Sequence, residues 1–191
     1  MRNIIVALAG VAFAASALLA QTPSLPRKAP ELAINVPGTG PKLLSQYRGH
    51  VVALEFIETT CPHCQAASKV MSRIQNEFKS RGVQVLDAAI NPNAGLLVGN
   101  FAKEFQTTFP VGWVTFNQFL SFMGFTMADR VVVPQLVLID RQEMIRYQTP
   151  PGGDANSMQE STIKQRIEEL LAINKSGTPR SRRTAAPHPA S

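Results

Sequence analysis

The chain contains two cysteines, and they stand three residues apart in Cys61-Pro62-His63-Cys64. In the first turn of a helix, positions i and i+3 lie close enough for their sulfurs to bond. The flanking residues predict such a turn. Val51-Val52-Ala53-Leu54-Glu55-Phe56-Ile57 reads as a strand covered on both faces, and Cys61 to Ser80 carries Ala67, Val70, Met71, Ile74 and Phe78 on one helical face. A Cys-x-x-Cys between a buried strand and an amphipathic helix reads as a redox pair. Unpaired N–H groups of the first turn favour an anion on the leading sulfur by roughly 0.3–1 kcal/mol. Cys61 is therefore the expected attacking thiolate, Cys64 the resolving thiol that closes the disulfide, and His63 a candidate tuning group.

Competing readings of the pair are weaker. As a staple, a four-residue loop constrains the unfolded chain by only about 2 kcal/mol, against ~4.7 for a 100-residue loop. Tetrahedral zinc takes four ligands, and only His50, His63 and His188 accompany the thiols. Covalent haem attachment is disfavoured because Gln65, not His, follows Cys64. No metal and no organic cofactor is expected.

Two further residues stand out. Glu55 interrupts the apolar strand six residues before Cys61. Buried, its carboxyl has a raised pKa and exchanges a proton with Cys64; on an edge strand, it faces solvent. Glu58 is expected as an exposed charge at the loop end. Val133-Pro134 opens another strand-like run, Gln135 to Ile139, where proline is confined to a strand start or edge. A cis bond there is too rare to be assigned from sequence alone.

The remaining pattern alternates strands and helices. Val83 to Ile90 is a second strand and Gln135 to Ile139 a third, which Met144 to Gln148 joins across a turn, giving about four core strands. Helices are expected at Leu96 to Phe105, at Phe116 to Phe125, and from Ser157, where Ser157 and Glu160 have capping-box spacing. Phe116, Phe119, Phe122 and Phe125 recur every three residues, as a core face or a client-binding surface. This order predicts an α/β sandwich.

At 191 residues, 45% hydrophobic and 17% charged, the chain holds one packed domain plus tails. Its net charge of +6 lies at the ends: residues 31–173 carry 12 basic and 13 acidic side chains. The domain itself has no basic excess, and no nucleic-acid partner is expected. Met1-Arg2-Asn3, the uncharged run Ile4 to Leu19 and small residues up to Ala20 read as a secretory signal over 1–20. The alternative is a retained N-terminal membrane anchor, although 16 residues fall short of the ~20 that span a bilayer. Either way an extracytoplasmic site, periplasmic or secreted, is expected. Residues 21–28 read as a linker, 29–173 as the domain, and 174–191 as a disordered basic tail.

Together these residues resemble the thioredoxin-like superfamily, in its exported TlpA-like/redoxin branch. Ala29-Pro30, Gly40, Leu44-Ser45, Tyr47 to Val52, Phe56 and Cys61-Pro62-His63-Cys64 match the branch's entry hairpin, first core strand and active site. Phe109-Pro110-Val111 and Val133 to Asp140 match its later segments. The resemblance implies a three-layer sandwich with a central mixed sheet and helices on both faces. It implies Cys61 as nucleophile, Cys64 as resolving cysteine, Pro134 as a cis-proline facing them, Glu55 as the buried acid, and Pro62, Val133 and Pro134 against the client. The implied partners are protein thiols or disulfides and a second redox protein. Cys-Pro-His-Cys is also similar to oxidising, DsbA-like members, leaving the direction of transfer open. Thr60 replaces the usual tryptophan before the first cysteine, and Ala67 stands where some reductase members carry glutamate. A redoxin-type peroxidase and a non-catalytic binding module are the alternatives; for the former, Glu58-Thr59-Thr60 lacks the expected Pro and Thr arrangement.

Overall fold

The computed structural model describes residues 23–173. The signal reading over 1–20 and the tail over 174–191 lie outside them. Eight strands form one mixed sheet: β1 Arg27–Lys28, β2 Ala33–Val36, β3 Gly40–Leu43, β4 Val51–Ile57, β5 Val83–Ala89, β6 Val111–Trp113, β7 Gln135–Ile139 and β8 Met144–Gln148. Their spatial order is β1-β8-β7-β4-β5-β6-β2-β3. β4 is central, parallel to β5 and antiparallel to β7. All seven of its residues are buried, which explains the absence of apolar–polar alternation.

Side chains from the two faces of β4 enter different cores. Val51, Ala53 and Ile57 meet α1 (Pro62–Phe78), α2 (Ala94–Glu104) and α4 (Glu160–Ile173) through Met71, Ile74, Val98, Phe101, Ile163 and Ile167. Val52, Leu54 and Phe56 meet α3 (Phe116–Met123) on the opposite face. Phe56 contacts both Phe119 and Phe122, with ring centroids at 4.9 and 5.7 Å. The phenylalanine stripe is therefore mainly a core face, with Phe116 alone substantially exposed. Helices cover both faces, as the sandwich reading expected.

Several boundaries differ from expectation. The linker reading of 21–28 is corrected at its end: Arg27–Lys28 pair with Ile145 and Met144 of β8. The Arg27 guanidinium donates to the Phe122 carbonyl at 2.7 Å and to Gln148 Oε1 at 2.6 Å, tying this short strand down. Four strands become eight because β1, β2, β3 and β6 span only two to four residues, too few to show periodicity. The last helix begins at Glu160, not Ser157. Ser157 instead closes a turn, its hydroxyl donating to the Asp154 carbonyl at 2.6 Å. Gly82, with φ of 83°, ends the segment after α1.

β6 and β2 approach closely at Gly112. A Cβ there would lie 2.6 Å from the Asn35 carbonyl oxygen, a backbone atom with little freedom to retreat. Gly99, inside α2, has nothing within 4 Å of the corresponding position. Urea denaturation is thus expected to show Gly112→Ala destabilised by about 1–3 kcal/mol and Gly99→Ala stabilised by about 0.5–1 kcal/mol. Equal effects at the two glycines would contradict the β6–β2 packing.

Candidate active site

β4 delivers the chain into Glu58-Thr59-Thr60, and α1 begins immediately afterwards. Cys61 is the extended N-cap residue, with φ −80° and ψ 120°, and Pro62 occupies the first helical position, where its missing N–H costs nothing. The Cys64 N–H donates to Cys61 Sγ at 3.4 Å, so the sulfur occupies the place of a capping oxygen. Both cysteines are free thiols; Cys61 is partly exposed and Cys64 fully buried. Cys64 Sγ in turn accepts the Glu58 N–H at 3.5 Å. Glu58, expected as an exposed charge, is half-buried, with its backbone engaged under the pair.

The approach loop is held by side chains that sequence reading did not single out. Asn91, just after β5, accepts the Thr59 N–H at 3.0 Å and donates to Thr59 Oγ1 at 3.1 Å. Gln65 Nε2 donates to the Thr59 carbonyl at 3.1 Å. These contacts keep the turn before Cys61 from opening. Beside the pair, His63, Ala66, Ala67, Val70, Val133 and Pro134 line part of a cleft of about 520 Å³. The Val133–Pro134 bond is cis. His63 and Pro62 are exposed, and Val133 packs on both cores.

Glu55 lies fully buried in the central strand, which removes the outward-facing reading. Its parallel register partner on β5 is Asp87, also fully buried. Burial first, and the Asp87 carboxyl second, push the Glu55 carboxyl well above the usual range. Burial likewise raises Asp87, to about 7, against the opposing hydrogen bonds from Ser68 and Glu55. The Cys64 thiol is pushed up strongly by burial, is partly relieved by the Glu58 N–H, and is raised further by Cys61 and Glu55. Cys64 thus keeps its proton until something takes it. Asp87 escaped the sequence reading, although it is the one charged residue in the run Val83 to Ile90.

Between the ordinary carboxylate pKa and the raised one, the folded chain holds a proton that the unfolded chain has released. The Asp87 contribution to stability therefore falls as pH rises from about 4 to about 7. Asp87→Asn is expected to match the parent near pH 4 and to become the more stable by on the order of a few kcal/mol near pH 8, read by urea denaturation. A stability difference independent of pH would contradict the buried-acid assignment.

Residues 25–148 match the model of the AhpC/TSA family. The thiol-disulfide oxidoreductase ResA of Oceanobacillus iheyensis is 34% identical over 68 residues, 36% of this chain and 35% of that protein. The matched stretch thus spans about a third of that relative. The ResA protein of Geobacillus thermodenitrificans is 28% identical over 128 residues, 66% of this chain and 67% of its own. Among solved structures, a Chlorobium tepidum protein described as the thiol:disulfide interchange protein DsbE superposes with a TM-score of 0.65 at 25% identity, covering 76% of this chain and 96% of its own. With a matched segment running from β1 to the end of β8, and a thioredoxin-like sheet around the cysteine turn, the chain belongs to the AhpC/TSA family.

Proposed function

We propose that the protein is an extracytoplasmic thiol–disulfide oxidoreductase acting on protein clients through Cys61 and Cys64. The observation that carries this reading is the asymmetry of the pair: a partly exposed sulfur at a helix N-cap above a fully buried thiol. In the reducing direction Cys61 sulfur attacks a client disulfide, forming one mixed S–S bond and releasing a client thiolate that takes a proton from water. Cys64 then gives up its proton and attacks Cys61 Sγ. The intramolecular disulfide forms, the second client sulfur leaves, and two electrons have passed to the client. A partner dithiol returns them. The same bonds run in reverse when the oxidised pair accepts client electrons.

Glu55 is the proposed proton acceptor for Cys64, since its carboxyl acts electrostatically on both cysteines. Pro134 and Val133, sharing a cleft with His63, form the proposed client-docking edge, with Pro62 on the exposed side. His63, one residue before Cys64, is the group whose cationic form would favour the reduced pair. The export reading rests on residues 1–20. No described helix is long and apolar enough to cross a membrane.

In an exchange assay, Cys61→Ser is expected to lower the rate at least about 100-fold, and Cys64→Ser to accumulate client proteins joined through Cys61. Absence of both trapping and exchange with every disulfide tested would refute the proposal. Peroxide consumption with sulfenate at Cys61 would favour the peroxidase reading instead. With the full chain expressed in a Gram-negative host, osmotic shock is expected to release the protein or leave it on the inner membrane. Recovery only from the cytosol would contradict export.

A further inference from the structure

Asp87 has no part in the steps above, yet its position is unusual. β4 and β5 are parallel with Glu55 and Asp87 as register partners, so both carboxyls project from the same face of the sheet, beneath α1. Ser68 Oγ, on α1, donates to Asp87 Oδ2 at 2.7 Å. Asp87 Oδ1 and both oxygens of Glu55 receive no hydrogen bond from any N–H or O–H of the described residues. Three buried carboxyl oxygens without an outside donor are costly unless the two acids bond to one another. Such a bond requires a proton held by one of them. The hydrogen bond between them raises Glu55 and lowers Asp87; with the proton on Glu55, Asp87 Oδ1 is the acceptor.

Among the described residues no cation acts on either carboxyl in its place. α1 brings Cys61, Cys64 and Ser68; β6 sets Val111 opposite Asp87; β7 sets Leu136 opposite Glu55. Cys61 and Cys64 interact electrostatically with Glu55, whereas Asp87 interacts with Glu55 and Ser68. β4 leads directly into the cysteine turn and β5 lies beside it, so the order is thiols, Glu55, Asp87.

We infer that Asp87 is a positioning residue for thiol exchange: it shares one proton with Glu55, and Glu55 relays the Cys64 proton onto it when the disulfide closes. The S–H bond of Cys64 breaks and an O–H bond forms on Glu55. The O–H bond already on Glu55 breaks, and its proton passes to Asp87 Oδ1 while Ser68 continues to hold Oδ2. No electrons move in this step; the freed Cys64 sulfur then attacks Cys61 Sγ. On reopening the proton returns by the same route. A lone buried Glu55 that already carries its proton could accept no second one, which is why Asp87 is needed.

The inference rests on the oxidoreductase reading, and the test separates the two. The full chain and Asp87→Asn are mixed in turn with the aromatic disulfide dithionitrobenzoate, and release of the first and second thionitrobenzoate is followed from about pH 5 to about pH 9. The first release reports Cys61 attack and the second Cys64 resolution. Asp87→Asn is expected to leave the first unchanged, to slow the second about tenfold or more at neutral pH, and to remove its inflection. An unchanged pH profile for the second release would overturn the relay. Loss of the first release in the parent would overturn the oxidoreductase reading instead. Carbon NMR of carboxyl-labelled parent protein needs no turnover: Glu55 and Asp87 resonances that each move in two linked steps support the shared proton. An Asp87 resonance titrating alone in the ordinary carboxylate range refutes it.

Discussion

The N–H of Cys64 has no carbonyl four residues earlier inside its helix, and it bonds to the sulfur of Cys61 instead. Much of the site follows from this one substitution of a thiol for a capping oxygen. It requires Cys61 to be extended and Cys64 to lie in the first turn, so the second sulfur points down into the core. One sulfur is left at the surface and the other is desolvated. Pro62 fits between them because the first helical position has no N–H to satisfy.

That geometry needs a rigid floor and a fixed approach. β4 supplies the floor, buried on both faces and paired on both edges. Asn91 and Gln65 supply the approach by gripping Thr59 from two elements. β4 and its neighbour β5 also carry Glu55 and Asp87, whose burial opposes stability as they ionise. An apolar pair would fill the same register at lower cost, so the acids are best understood through the chemistry above them.

Where the sequence was legible, long apolar periods made it so. β4, β5, β7, β8 and most of α1 lie within a residue or two of expectation, because each has five or more residues of core-facing pattern. The short strands were invisible to periodicity; their pairing is fixed by partners far along the chain. Ser157 and Glu160 had capping spacing, but the Asp154 carbonyl took the hydroxyl. In the site, Cys61, Cys64 and Glu55 stood out by type and context. Asp87 and Asn91 did not, because 32 residues separate Glu55 from Asp87 and Thr59 from Asn91, and only the β4–β5 register and the turn after it bring them together.

The central claim is that one sulfur is presented and the other withheld. Timed alkylation of the reduced native chain with iodoacetamide, read by peptide mass spectrometry, measures this directly. The account predicts rapid modification of Cys61, with Cys64 modified only after the chain is unfolded. Equal labelling of the two cysteines in the folded protein, or faster labelling of Cys64, would contradict it.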